Sequence, residues 1–129
     1  MAISNIHETL LFYTKQKSMI NDKLSTTMMN MLNASKKTAE SQAQYNEKIS
    51  DVYYTYYEDD PDTYEILTEQ YEQEHELELA VLNSWEQELE LQKNNLETQL
   101  NEVITYESSW TKLLQNNIKN DFSYGQVSQ

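Results

Sequence analysis

What most constrains this chain is the scarcity of turn residues: 129 residues contain one glycine, Gly125, and one proline, Pro61. A compact α/β or β fold of this length needs many turns, and turns need clusters of Gly, Pro, Asn and Asp. Long helices need almost none. The sequence therefore predicts an all-α fold of few, long helices with one break near the midpoint. There, Glu58-Asp59-Asp60-Pro61-Asp62 offers an N-cap (Asp60), a proline at the first helical position, and acids that favour a helix N-terminus.

Periodicity gives the arms. Apolar or small residues recur at Ile3, Ile6, Leu10, Tyr13, Ile20, Leu24, Met28, Met31, Ala34, Thr38, Tyr45, Ile49, Val52 and Tyr56. Beyond the break they recur at Tyr64, Leu67, Tyr71, His75, Val81, Leu82, Trp85, Leu89, Leu96, Leu100, Val103, Tyr106, Trp110, Leu114 and Ile118. Steps of three, four and seven are heptad spacing. If the arms fold back antiparallel about residue 60, facing positions have numbers that sum to 120, as do Ile6 with Leu114, Leu10 with Trp110, Ile20 with Leu100, Ile49 with Tyr71 and Tyr56 with Tyr64. Size matching favours the same register, since Asn33-Ala34-Ser35 would face Trp85, and Thr38-Ala39 would face Val81-Leu82. The expected fold is a single domain over 1–129, a long, coiled-coil-like antiparallel two-helix hairpin. Arm one covers about 3–57, the turn about 58–62, arm two about 63–120 and a tail 121–129. Its seam core is expected at Leu10, Ile20, Leu24, Met31, Ile49, Tyr71, Trp85, Leu89, Leu96, Leu100, Trp110 and Leu114.

That seam leaves a second set of apolar residues over: Phe12, Met19, Met29 and Leu32 on arm one, and Ile66, Leu77, Leu79, Leu91 and Leu113 on arm two. A second apolar stripe along a helical hairpin usually marks a partner, and association of hairpins into a bundle or filament would bury it.

Net charge is −13, unevenly spread: residues 1–50 hold six lysines against four acids, and residues 51–129 three lysines against eighteen. There is no arginine, and phosphate binding needs clustered cationic side chains, so nucleic acid is an improbable partner. A basic protein is the partner that this charge suits. No cysteine means no disulfide and no thiolate metal site. No apolar run approaches the ~18 residues of a membrane span, and the first residues lack a basic stretch followed by a long apolar one. Synthesis in the cytoplasm without a cleavable signal is expected, with a signal-independent export route left open.

Catalytic chemistry finds few players. Glu72-Gln73-Glu74-His75 is an E-x-x-H on a helix, the spacing used in pairs by carboxylate-bridged di-iron bundles. Here it stands once, and its counterpart across the seam is Tyr45, not an acid. The acidic turn has no central glycine and lacks the alternating acids of a calcium loop. Two histidines give no nucleophile–base set, and a phosphate-cradling loop cannot be built from one glycine. The reading is a non-enzymatic chain with no cofactor and no metal.

The remaining signal is aromatic. Tyr53, Tyr54, Tyr56 and Tyr57 surround the end of arm one, and Tyr64 opposes them beside Asp59 and Asp60. Such a collar either stiffens the hairpin end or offers an interaction tip, since tyrosine gives large contact area with a polar edge. In the tail, Phe122, Tyr124 and Val127 have no facing residues in this register and are candidate contacts to a neighbouring copy, with Gly125 suited to ending the helix.

In outline (a cysteine-free hairpin with a proline-bearing turn and no cleaved signal) the chain resembles subunits of type III secretion needles and their filament extensions, with longer arms. The resemblance implies a self-assembling structural subunit, exported as part of a filament or secretion apparatus. The competing expectation is an intracellular acidic coiled-coil adaptor or secretion chaperone that binds a basic partner.

Overall fold

The computed structural model describes residues 2–127, with side chains as far as Asn120. Two helices, α1 (Ile3–Tyr56) and α2 (Pro61–Val127), pack against each other as a hairpin. Of the described residues 96% are helical, and none lies in a strand.

The break falls where the turn chemistry placed it. The Asp60 amide donates to the Tyr56 carbonyl (2.8 Å), closing α1 in a tight turn. Asp60 then caps α2: its Oδ1 accepts from the Thr63 amide (3.3 Å) and its Oδ2 from the Thr63 hydroxyl (2.6 Å). At the far end α2 continues to Val127, past the end expected near residue 120, and Gly125 does not take a positive φ. One glycine costs a helix only about 1 kcal/mol relative to alanine, too little to end it alone. The side chains of Phe122, Tyr124 and Val127 lie outside the described residues.

Long helices form here despite many hydroxyl residues because those groups are internally satisfied. Thr9, Thr14, Thr26, Thr38, Thr98, Thr105 and Thr111 each donate to the carbonyl four residues earlier.

The hairpin comprises two compact units, residues 1–26 with 93–129, and residues 27–92. In the first, Ile6 and Ile20 are buried, with Leu10, Tyr13, Lys17, Leu24, Leu96, Leu100, Val103, Glu107, Trp110 and Leu114 half-buried. In the second, Thr27, Ala34, Ser41, Val52, His75, Leu82 and Leu89 are buried, with Met31, Tyr45, Ile49, Tyr71, Leu79, Trp85 and Glu86 half-buried. All twelve expected seam residues are buried or half-buried.

The register is visible in each unit. In the first, Tyr13 stacks on Tyr106, numbers that sum to 119, and Lys17 bonds Glu107, which sum to 124. In the second, Tyr45 stacks on His75 (sum 120) and Lys48 lies over Tyr71 (sum 119).

Three assignments shift by one residue. Met28, Tyr106 and Ile118 are 50% to 52% exposed, while Thr27, Glu107 and Asn117 take the inward places beside them. Of the adjacent expected pair Val81 and Leu82, Leu82 is buried and Val81 is 70% exposed. The regular alternation of three- and four-residue steps dictates this, whatever the polarity of the residue on which each step lands. Leu79 and Leu113, expected outside the seam, are half-buried.

Candidate functional site

Unit two carries both the hairpin turn and a polar layer of its own. At the tip, Tyr53, Tyr57 and Tyr64 form a triangle of rings. Tyr53 and Tyr57 stack at 4.7 Å, Tyr57 meets Tyr64 edge-on at 5.2 Å, and Tyr53 meets Tyr64 edge-on at 6.1 Å. Tyr54 touches the edge of Tyr53 (5.5 Å) and is 83% exposed. Tyr56, expected to face Tyr64, is half-buried, while Tyr53 and Tyr57 are the ones that reach the Tyr64 ring. The expected collar is therefore built by Tyr53, Tyr57 and Tyr64, with Tyr54 presented outward.

Asp59 and Asp60 are exposed beside these rings. The hydrogen bonds from the Thr63 hydroxyl, and then from its amide, hold the Asp60 carboxyl below the usual carboxylate range. It stays a charged cap.

Toward the middle of unit two, both helices leave the three–four alternation together. Inward positions run Ser41, Tyr45, Ile49, Val52 on α1 and Tyr71, His75, Leu79, Leu82 on α2, each spanning eleven residues in three steps. Eleven-residue spacing, about 3.67 residues per turn, removes the drift that heptads impose. Tyr45 and His75 meet at this point, with rings 4.3 Å apart and 5° from parallel. His75 Nε2–H donates to Gln42 Oε1 (3.1 Å), which leaves Nδ1 to accept from the Ser41 hydroxyl at a long 3.5 Å. Lys48 lies 5.4 Å above the Tyr71 ring and Lys37 5.4 Å above Trp85. Thr38 shares its hydroxyl proton between the Ala34 carbonyl and Glu86 Oε1, both at 3.0 Å. The layer is held by polar pairs in which each buried group has a partner.

Thr68 is the exception, its Oγ1 being buried without a hydrogen bond among the described residues. Glu72 of the E-x-x-H points to solvent while His75 is buried on Tyr45, so the two do not converge. Among the described residues no three His, Cys, Asp or Glu side chains are placed to hold a metal ion.

Unit one has a different chemistry. Lys17 Nζ bonds Glu107 Oε1 at 2.8 Å, and the Thr14 hydroxyl reaches Glu107 Oε2 at 3.2 Å. The Lys17 hydrogen bond outweighs the desolvation that opposes it, so the Glu107 carboxyl sits below its ordinary range. Phe12 packs edge-on against Tyr13 (5.5 Å), which in turn stacks on Tyr106 (5.7 Å).

Sequence reasoning missed Lys17, Thr27, Ser41, Glu86 and Glu107 as inward residues because it searched for apolar side chains. The signal that finds them is position, since Thr27, Ala34 and Ser41 extend the seven-residue series begun by Ile6, Tyr13 and Ile20.

The units also divide the charge. Unit one holds six lysines (15, 17, 23, 93, 112, 119) and six acids (8, 22, 97, 102, 107, 121), and is neutral. Unit two holds three lysines against sixteen acids, so it carries the entire −13.

No protein family, curated protein or solved structure matches the chain. No helix among the described residues is long and apolar enough to cross a membrane.

Proposed function

We propose that this chain is a non-enzymatic structural subunit whose helical hairpins pack on copies of themselves, in the manner of a filament or secretion-apparatus component. The observation that carries the reading is the number of large apolar side chains left facing outward: Leu32, Leu77, Val81, Ile66, Met29 and Leu91 are each 61% to 71% exposed. Two helices have one mutual seam, and burying a second stripe requires further helices. Sedimentation velocity of the purified chain over a wide concentration range tests this. Growth of a larger species with concentration is expected. A chain that stays monomeric throughout rejects the reading.

A specific observation favours a second reading. The charge of unit two, with Tyr54 and its neighbours exposed beside it, suits an adaptor or secretion chaperone that captures a basic partner. In that case titration with a lysine-rich peptide gives salt-sensitive binding, and the chain alone forms at most a fixed dimer.

A further inference from the structure

We infer that copies pack side by side through unit two, the back of α1 in one copy lying on the back of α2 in the next. This rests on the self-association reading and names its surface. On α1, Leu32, Lys36 and Ala39 are exposed at steps of four and three, one helical stripe on the side away from the buried Ala34. On α2, Leu91, Glu88 and Ser84 are exposed at steps of three and four, on the side away from the buried Leu82 and Leu89.

The two stripes match in charge and in position. Between residues 27 and 39, α1 carries Lys36 and Lys37 and no acid, whereas between 61 and 92 α2 carries ten acids and no lysine. Copies aligned with their turns at the same end set α1 of one antiparallel to α2 of its neighbour. Seating Leu32 on Leu91 then brings Lys36 to Glu88, and the small Ala39 to the small Ser84, each about one helical turn nearer the hairpin turn. These pairs have numbers that sum to 123 or 124, close to the 120 of the hairpin's own register, so the neighbour needs an axial shift of only about 5 Å. Leu77 and Val81 continue the α2 stripe under the same neighbour.

This match selects a second copy as the occupant. A foreign basic segment satisfies the charge of α2 and leaves Leu32 on α1 uncovered, whereas a row of copies covers both stripes at once. Each copy offers one stripe of each kind, so the contact is heterologous and repeats from copy to copy.

The test blocks one stripe at a time, with Leu32→Glu on α1 and Leu91→Glu on α2. These side chains are 71% and 61% exposed, so the fold is retained, as circular dichroism will verify. Sedimentation velocity is run at about 150 mM salt, where the screening length of about 8 Å suppresses the repulsion between acidic units. Each variant alone should associate about tenfold more weakly than the intact chain, or worse. Mixed, they should form a one-to-one pair, because each keeps the stripe that the other has lost. Lys36→Glu should weaken association as well, and adding Glu88→Lys to the same chain should restore it. If the intact chain associates but the mixture forms no pair, or either blocked variant associates as the intact chain does, this surface is wrong while the self-association reading stands. If the intact chain never associates, the reading itself fails and takes this inference with it. Binding of a lysine-rich amphipathic peptide to that monomer, lost in Leu91→Glu, would then assign the α2 stripe to a foreign basic partner.

Discussion

The two units solve the same geometric problem with different chemistry. Each pairs α1 with α2 in the same register. Unit one is neutral, and among the described residues it holds the one ion pair that links the helices, Lys17–Glu107. Unit two carries all the net charge and has no such pair. It buries the small residues Ala34 and Ser41 and replaces ion pairs by a stacked Tyr45–His75 layer and two lysines over aromatic rings. The difference teaches that register can be enforced without complementary charge. A polar layer does part of this, because a shift of either helix would strip His75 of Gln42 and Ser41 and move Lys37 off the Trp85 ring.

The largest effects should come from emptying the seam. Leu89→Ala in unit two and Ile20→Ala in unit one remove side chains that are 3% and 7% exposed, and each should cost about 2–5 kcal/mol. Urea unfolding measures both. A loss below about 1 kcal/mol for Leu89→Ala alone would mean that unit two is held by its polar layer and not by apolar contact.

Next comes overpacking at a small inward residue. Ala34 is fully buried, so Ala34→Leu should destabilise by about 1–3 kcal/mol. Its neighbour Ser35 is exposed, and Ser35→Leu should fall within about 0.5 kcal/mol of the parent. The contrast is sharper than either measurement alone. Equal effects would place the two residues on one side of the seam, which the helix geometry forbids.

Those two residues also show how much of the fold was legible. Composition and turn chemistry located the break to within a residue or two, because only one place in the chain offers a proline behind a capping acid. Register followed from heptad spacing, which survives single errors. What failed was the identity of inward residues wherever a polar side chain occupied an inward step. Thr27 was passed over for Met28, and Glu107 for Tyr106, because hydropathy ranks them the wrong way round. A polar residue enters such a seam when it finds a partner, as Glu107 finds Lys17 and Ser41 finds His75, and partners on another helix are invisible until the helices are paired. The collar at the tip was legible as a group of tyrosines. Which of them meet Tyr64 was not, because that depends on the angle at which α1 ends.

Salt should separate the units more gently. Sixteen acids against three lysines repel one another across unit two, and raising ionic strength from about 10 to 150 mM shortens the screening length from about 30 to 8 Å. The melting temperature should rise over that range. Hydrogen exchange should show the gain in protection between residues 58 and 78 and little change between 3 and 26. A uniform response, or none, would remove charge from the list of differences between the units.

The smallest expected effect tests the ion pair of unit one. Lys17 and Glu107 keep 34% and 23% of their side-chain surface in solvent, so screening limits the pair, and Lys17→Met should cost no more than about 1 kcal/mol near neutral pH. The pH dependence is the more telling readout. The folded-state carboxyl of Glu107 titrates below its unfolded value, so its contribution is present above the ordinary glutamate pKa of about 4.3 and is lost as pH falls through the lower, folded one. The difference between parent and Lys17→Met should therefore shrink on acidification below about pH 4. Asp60 is also shifted downward, but by Thr63 in the other unit, so its acid dependence is common to both proteins and cancels. A stability gap that stays constant from neutral pH to well below the carboxylate range would show that Lys17 acts through the packing of its aliphatic stem. Unit one would then owe nothing to charge, and only the net field of unit two would distinguish them electrostatically.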